Sequence, residues 1–201
     1  MPKILKIVQQ TKQKFLNMFE LTVEDRTGDI HPYYVASRAL NEDGLKLRTG
    51  KNTADGVIIY AIHKGEKDCI VLIKQYRYSI GGYIYELPAG LVDEGECFRE
   101  TAVREMKEET GLTFTPEEYD NCYSEPFFTT VGMTDESCRT VFGTAYGEPS
   151  NAFLEDNEDI EVVLADKELA EEILRTQKVS VMAGYLLMNF IHSDDPFWFL
   201  D

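Results

Sequence analysis

Hydrophobic and polar positions alternate over short segments in the first part of the chain. Residues 15–24 alternate roughly with a period of two, which predicts a β-strand, and residues 33–39 predict a second one. Between them, residues 25–29 have the composition of a turn. Residues 1–13 fit either a short helix or an extended arm. We therefore predict a small N-terminal β lobe within residues 1–50.

Longer apolar runs follow, and they predict a larger domain over residues 51–201. Six segments have the apolar content of strands: residues 56–62, 69–75, 83–87, 119–127, 137–146 and 159–164. Two further segments, residues 167–177 and 181–192, have helical periodicity. Strands mixed with helices in this order predict an α+β fold, in which a mixed sheet lies between layers of helices.

One helix is predicted in the middle of this domain, from Phe98 to Thr110. The segment lacks Gly and Pro, is rich in residues that favour helices, and is followed by Gly111, which is typical of a helix end. Glu105 and Glu109 are four positions apart and therefore neighbours on one face. A second face is predicted to be apolar and to pack on the sheet, and it consists of Ala102, Val103 and Met106. Crowded carboxylates repel one another unless a cation lies between them, which favours a hard dication such as Mg²⁺.

Composition limits the partners of this chain. The formal net charge is −16, which argues against nucleic acid and anionic membrane surfaces because both need basic patches. An anionic small-molecule substrate would need local help from a metal and a few arginines. The four cysteines have neither the spacing of a zinc site nor the density of a disulfide scaffold, so we expect reduced thiols in a cytoplasm. The N-terminus resembles neither a signal peptide nor a membrane span.

The helix belongs to a longer motif that begins at Gly90. Five residues separate Gly90 from Glu96, and seven more precede Arg104-Glu105; the motif then continues through Glu108-Glu109 to Gly111-Leu112. Chance would produce this pattern in about one chain in a million of this size, or fewer. The pattern is the complete Nudix box, and the chain resembles Nudix hydrolases, which cleave a nucleoside diphosphate linked to another moiety. A solvated acidic helix is the alternative for a lone pair of glutamates, but not for the whole pattern.

Two neighbouring motifs are similar to those of the ADP-ribose pyrophosphatase branch. One is Glu86-Leu-Pro-Ala-Gly90 and the other is the run Lys74-Gln-Tyr-Arg77. The resemblance implies that Arg77 contacts the diphosphate, a role suited to a planar guanidinium. It also implies that the carbonyl of Ala89 is a metal ligand. For Glu86 two roles stay open, contact with substrate and support of the loop.

The resemblance also divides the box residues by role. Glu105 and Glu109 are the expected ligands of Mg²⁺, with Mn²⁺ as the alternative ion, and Glu108 is an additional or outer ligand. Arg104 is expected to orient a neighbouring glutamate. Glu96 is either a ligand or a structural partner.

Two other segments resemble the same branch. Gly132-Met-Thr-Asp-Glu136 matches a loop that supplies the glutamate acting on the attacking water, so Glu136 is the candidate base and Asp135 the reserve; the usual Ser-Pro-Gly is replaced by Thr130-Val-Gly132. Tyr33 and Arg38 match an aromatic residue that stacks on adenine and an arginine that reaches a phosphate. In that branch the N-terminal lobe is exchanged across a homodimer, although an aromatic residue on a strand more often serves packing.

These observations predict Mg²⁺-dependent hydrolysis of ADP-ribose, or of a related nucleoside diphosphate sugar, to AMP and ribose 5-phosphate. Two alternatives remain. One is a pyrophosphatase for GDP-mannose or another nucleotide sugar, which would use the same catalytic residues. The other is a module that senses ADP-ribose or a dinucleotide without turnover, although such a module would be expected to lose its glutamates.

Overall fold

The chain folds into two compact units, as seen in a computed structural model that describes residues 1–154 and 159–200. The first unit contains Met1–Asp55 and Pro126–Cys138, and the second contains Gly56–Glu125 and Arg139–Asp201. The sequence predicted two domains, residues 1–50 and 51–201, and this division into domains stays a prediction. Among the described residues, no helix is long and apolar enough to cross a membrane. The four cysteines, all within the described ranges, are unpaired.

A three-stranded antiparallel sheet forms most of the first unit. Its strands are β1 (Lys3–Gln9), β2 (Asn17–Glu24) and β3 (Ile30–Ser37), in the order β1-β2-β3. In register, Ile7 pairs with Leu21 and Phe19 with Val35, so one face is apolar and buries Leu45 as well. The two predicted strands are present, and the segment that the sequence left open is a third strand.

The rest of the first unit consists of short elements. A 3₁₀ helix (Glu42–Gly44) and the one-turn helix α1 (Lys46–Thr49) follow the sheet. The two-residue strand β9 (Phe127–Phe128) pairs with Ser137 and Cys138 at the start of β10.

The second unit is built on a larger mixed sheet with helices on both faces. Five strands lie in the order β11-β5-β4-β10-β8, while β6 pairs with β5 and β7 with β4. The bounds of the strands are β4 Gly56–His63, β5 Cys69–Arg77, β6 Gly82–Glu86, β7 Ala89–Leu91, β8 Thr113–Pro116, β10 Ser137–Tyr146 and β11 Ile160–Ala165. The helices are α2 (Phe98–Thr110), α3 (Lys167–Thr176) and α4 (Val181–His192), and a 3₁₀ turn covers Trp198–Leu200. The predicted α+β fold is confirmed.

Strand alternation produces two apolar cores, one on each face of this sheet. In β4, Val57 and Ile59 point to the core that contains Ala102 and Met106 of α2. Tyr60, which follows Ile59, points to the core formed with α3 and α4. Each core residue of α2 is fully buried, which fixes the helix on the sheet.

Two sequence predictions are wrong. Residues 119–127 do not form a strand, because the carboxylate of Asp120 accepts a hydrogen bond from the amide of Cys122 and starts a 3₁₀ turn, Asn121–Ser124. Val103 does not belong to the buried face of α2, since its side chain is 41% exposed. A helix turns by about 100° per residue, so the neighbour of a buried position lies at the edge of the buried stripe.

Candidate active site

Helix α2 is fixed at both ends by local contacts. At its start, the carboxylate of Glu100 accepts a hydrogen bond from the amide of Cys97. At its end, Gly111 has a φ of 74°, and a Cβ atom there would lie 2.7 Å from the side chain of Ser150. Only glycine satisfies both conditions, and it ends the helix where the sequence predicted.

Arg104 is the centre of the acidic cluster on this helix. Its Nη1 donates to Glu105 Oε1 at 2.8 Å and to Glu108 Oε2 at 2.9 Å. Its Nε and Nη2 donate to the two carboxylate oxygens of Glu96, both at 3.0 Å. One guanidinium thus binds three carboxylates, as a planar fork with several donors allows. These contacts raise the pKa of Arg104 further above its usual range.

Glu96 is the most strongly engaged of the three glutamates. Besides Arg104, the hydroxyl of Thr101 donates to its Oε2 at 2.8 Å. The hydrogen bonds from Arg104 lower the pKa of Glu96 to about 2, with a smaller contribution from Thr101. These contacts are those of a structural partner, and a ligand role for Glu96 stays a prediction.

The remaining box glutamate, Glu109, lies against strand β7. Its side chain is nearly buried, with the residue 4% exposed, and its Oε2 accepts a hydrogen bond from the amide of Ala89 at 3.0 Å. The next residue, Gly90, lies directly against Glu105, because a Cβ atom at this position would be 1.9 Å from Glu105 Cδ. Strand β7 therefore places Ala89 beside Glu109 and Gly90 beside Glu105, and a side chain at position 90 would push the Glu105 carboxylate out of this position.

The chemistry of this donor set fits a hard divalent cation. Four carboxylates and the β7 backbone supply oxygen donors, the kind that Mg²⁺ and Mn²⁺ prefer. Within residues 1–154 and 159–200, however, no three Asp, Glu, His or Cys side chains already converge as a metal cluster. Glu105 and Glu108 each place one carboxylate oxygen on Arg104, so a cation would compete with the guanidinium for these two carboxylates.

Arg77 and Glu86 form an ion pair on the β5–β6 hairpin. Arg77 Nε donates to Glu86 Oε2 at 2.5 Å, and the side chains are 46% and 19% exposed. Two positions before Arg77, on the same face of β5, the side-chain oxygen of Gln75 is buried and has no hydrogen-bond partner among the described residues. The sequence pattern did not assign a role to Gln75, although Gln75 and Arg77 lie two positions apart on a predicted strand.

In the first unit, Arg38 holds Glu136. The Nε and Nη2 atoms of Arg38 donate to Glu136 Oε1 at 3.0 and 2.8 Å. The hydroxyl of Thr129 donates to the other oxygen, Oε2, at 3.1 Å. Arg38 also lines a cavity of about 230 Å³, together with Lys46 and Lys51. Two aspartates line the same cavity, and the Nζ atom of Lys46 pairs with one of them at 2.6 Å, so the wall carries charges of both signs.

Tyr33 and Asp135 are occupied by contacts that the sequence did not predict. The hydroxyl of Tyr33 donates to the carbonyl of Gly132 at 2.8 Å, and Asp135 Oδ2 accepts from the amide of Lys46 at 3.1 Å. Asp135, the reserve base, is thus attached to the start of α1. Tyr33 fastens the loop, whereas stacking on a base stays a prediction.

The structure therefore gathers the predicted residues into three groups. The second unit holds the cluster of Ala89, Glu96, Arg104, Glu105, Glu108 and Glu109 and, separately, the pair Arg77 and Glu86. The first unit brings Tyr33, Arg38 and Glu136 to the loop of residues 128–136. Three residues of these groups were missed: Thr101 and Thr129, which contact glutamates, and Gln75, whose buried oxygen lies on the face of Arg77. A single hydroxyl or amide side chain forms no recognisable sequence motif, so its role becomes visible only from its neighbours in the folded structure.

Comparison with known proteins is consistent with this arrangement. The NUDIX domain family model matches residues 52–185. The chain is 40% identical over 123 residues to the putative nudix hydrolase 2 of Caenorhabditis elegans, a match that covers 57% of this chain and 53% of that protein. It is 30% identical over 156 residues to the ADP-ribose pyrophosphatase of Saccharomyces cerevisiae, covering 74% of this chain and 62% of that protein. The chain thus spans between half and two thirds of these two relatives.

The fold is also similar to that of a solved structure. A crystal structure of an ADP compounds hydrolase superposes with a TM-score of 0.66 and 16% sequence identity, and the match covers 94% of each chain. At this identity the likeness concerns the fold alone. Since the family match covers well over half of the sequence and includes the whole motif from Gly90 to Leu112, the chain belongs to the Nudix hydrolase family.

Proposed function

We propose that this protein hydrolyses the diphosphate bond of ADP-ribose, or of a related nucleoside diphosphate sugar; from ADP-ribose the products are AMP and ribose 5-phosphate. The observation that carries the proposal is the position of Glu105 and Glu109 against Ala89 and Gly90. This arrangement combines the catalytic glutamates of the box with the Glu-Leu-Pro-Ala-Gly motif of the ADP-ribose branch. The yeast relative, named an ADP-ribose pyrophosphatase, supports the same substrate class.

In this proposal, Glu105, Glu109 and the carbonyl of Ala89 would hold Mg²⁺, and Glu108 and Glu96 are additional candidates. A bound Mg²⁺ supplies positive charge at the diphosphate and lowers the pKa of water in its shell. Arg77 grips non-bridging phosphate oxygens, where charge builds during the reaction. Glu136 accepts the proton of the attacking water. Arg104 orients the glutamates through its hydrogen bonds to Glu96, Glu105 and Glu108.

The candidate phosphate ligands are paired with glutamates before substrate binds. Arg77 is held by Glu86, and Arg38 by Glu136. Both pairs are partly exposed, and such pairs contribute about 1 kcal/mol or less, so a diphosphate can compete for the guanidinium groups. Each of these two pairs is neutral, although the net charge of the chain is −16.

A turnover panel tests the substrate assignment. Purified protein is incubated with ADP-ribose, GDP-mannose, NADH, CoA and 8-oxo-dGTP in the presence of Mg²⁺, and the products are identified by mass. We expect ADP-ribose to give the highest kcat/KM and AMP as a product. Faster turnover of GDP-mannose would favour the alternative nucleotide-sugar pyrophosphatase. Binding of ADP-ribose with no product from any compound would favour the sensor.

We also propose that the protein is a homodimer in which the lobe of residues 1–50 contributes to the partner's site. The support is the family resemblance at Tyr33 and Arg38, together with a three-stranded sheet that buries few residues by itself. Light scattering at micromolar concentration is expected to give twice the mass of the 23.0 kDa chain. A fully active monomer would refute this part of the proposal.

We also propose a cytoplasmic location, because the cysteines are not paired in disulfides. All four are unpaired, which suits a reducing compartment. Counting free thiols in protein isolated from its native cell without reductant is expected to give four per chain.

A further inference from the structure

The carboxylate of Glu136 is held from two sides by different residues. Arg38 places two donors on Oε1, whereas the hydroxyl of Thr129 alone reaches Oε2. The Glu136 side chain is 28% exposed, so the group is accessible but not free to rotate. Each carboxylate oxygen is thus engaged by one specific neighbour.

The backbone keeps Thr129 opposite Glu136. The amide of Thr129 donates to the carbonyl of Glu136 at 3.1 Å, and the amide of Glu136 donates to the hydroxyl of Thr134 at 2.9 Å. The loop between them is closed by two hydrogen bonds to the carbonyl of Thr130. It is attached to strand β3 through the amide of Ala36, which donates to the carbonyl of Met133 at 2.9 Å. The distance between Thr129 and Glu136 is therefore set by the loop rather than by the side chains alone.

We propose that Thr129 is a positioning residue for Glu136. The inference rests on the proposed function, in which Glu136 is the base and Arg38 binds a phosphate. When a phosphate competes for Arg38, Oε1 loses its donors and can accept a proton. Thr129 still holds Oε2, so the carboxylate keeps its direction at the moment when its other contact is given up.

Arg38 and Thr129 thus have different roles at the carboxylate of Glu136. A guanidinium that stayed on Oε1 would occupy the oxygen that the water needs. A neutral hydroxyl on Oε2 orients the carboxylate and weakens it as a base less than a guanidinium would, because the hydroxyl carries no positive charge. We therefore expect loss of the hydroxyl to lower kcat, with little effect on KM.

Three variants test this step, each measured with ADP-ribose and Mg²⁺. Thr129→Val removes the hydroxyl at nearly constant shape, Thr129→Ser keeps it, and Thr130→Val is the matched control. Thr130 is the next residue in the same loop, and its hydroxyl makes no hydrogen bond among the described residues. We expect kcat to fall about tenfold in Thr129→Val, a part of what a general base contributes, while KM changes less than about twofold. Thr129→Ser and Thr130→Val are expected to stay within about threefold of the native kcat.

The same substitution in a Glu136→Gln variant tests the positioning role separately from the assignment of Glu136 as the base. In Glu136→Gln, turnover is expected to be low, and adding Thr129→Val is expected to cause no further loss, because the residue acts through Glu136. If Glu136→Gln is inactive but Thr129→Val has native kcat, the positioning role is wrong and the base assignment stands. If Glu136→Gln is fully active, both are wrong. An equal further loss in the double variant would also overturn the positioning role, and thermal unfolding of each variant identifies any loss that comes from unfolding.

Discussion

Arg104 and Arg38 both bind candidate catalytic glutamates, but the segments that bring these partners together differ greatly in length. Arg104 reaches Glu105, Glu108 and Glu96, which lie one, four and eight positions away. Arg38 reaches Glu136 across 98 positions. Helical geometry alone sets most of the first group, whereas the second needs a folded sheet and a closed loop. We infer that the contacts of Arg104 persist when distant parts of the fold become less ordered, whereas the contact of Arg38 with Glu136 is lost more easily.

The two arginines also differ in the balance of charge around them. Three carboxylates share the guanidinium of Arg104, while Arg38 and Glu136 form a pair of opposite charges. An excess of carboxylates favours binding of a dication, whereas a balanced pair of opposite charges does not. The comparison predicts that Mg²⁺ acts on the first cluster and substrate phosphate on the second pair.

The largest effect is expected from changing the two inner glutamates of the α2 cluster. Glu105→Gln or Glu109→Gln should lower kcat by at least about 100-fold, since each removes a proposed metal ligand. Folding should persist, because one crowded charge is lost and, in Glu109→Gln, the new amide oxygen can still accept from the amide of Ala89. The matched control is Glu94→Gln, an exposed glutamate of the same box, which should keep native activity. Near-normal turnover of either variant at saturating Mg²⁺ would remove the metal-site assignment.

A smaller effect is expected at Arg77, whose partner is Glu86 on the same hairpin. Arg77→Ala should lower kcat/KM for ADP-ribose about ten- to a hundredfold, since a charge-assisted contact contributes about 1.5–3 kcal/mol. Arg77→Lys keeps the charge but not the planar fork, so we expect only partial recovery. Arg175→Ala, which changes a surface arginine paired within α3, is the control with no expected loss. Full recovery by lysine would mean that charge alone is recognised.

The difference in charge between the Arg104 cluster and the Arg38–Glu136 pair is tested by measuring how Mg²⁺ changes the free energy of unfolding. Arg104→Gln leaves Glu96, Glu105 and Glu108 without the guanidinium and should lower the free energy of unfolding by about 1–2 kcal/mol in EDTA, because the site is partly exposed. Mg²⁺ should then stabilise this variant more than it stabilises the native protein. Denaturant titrations with EDTA and with Mg²⁺ measure both differences.

Arg38→Gln is the contrasting variant, because it removes the partner of a single carboxylate. Its stabilisation by Mg²⁺ should equal that of the native protein. If Mg²⁺ stabilises the Arg104 and Arg38 variants equally, the two clusters do not differ in the way that their charges predict.

Sequence patterns predicted those features that are set within a few turns of chain. Helix α2 has the predicted bounds, Phe98–Thr110, because its periodicity, its composition and Gly111 all act locally. Strands β4 and β5 were found within two residues of their ends, since each is a continuous apolar run. The acidic cluster was also foreseen, although the motif did not reveal that Arg104 would hold three of its members.

Features that depend on distant partners were not predictable in the same way. Strand β7 has three residues, and its strand character comes from pairing with β4 rather than from its own sequence. Strand β1 alternates weakly and becomes a strand because β2 lies beside it. The contact of Thr129 with Glu136 has no sequence signal, since it depends on how a loop closes. Such contacts are set by tertiary structure, which local propensity does not contain.

The smallest effect is expected at Tyr33, where the ring and the hydroxyl have separate tasks. Tyr33→Phe keeps a ring for stacking but removes the hydrogen bond to the carbonyl of Gly132. If the hydroxyl fastens the loop that carries Glu136, kcat should fall about two- to fivefold while KM stays nearly constant. Tyr33→Ala should also raise KM if the ring binds the base. Tyr34→Phe is the matched control, because Tyr34 is the next residue on the same strand, faces the other side of the sheet and is 54% exposed. A native kcat in Tyr33→Phe together with a raised KM in Tyr33→Ala would assign Tyr33 to the substrate alone and leave Arg38 and Thr129 as the residues that hold Glu136.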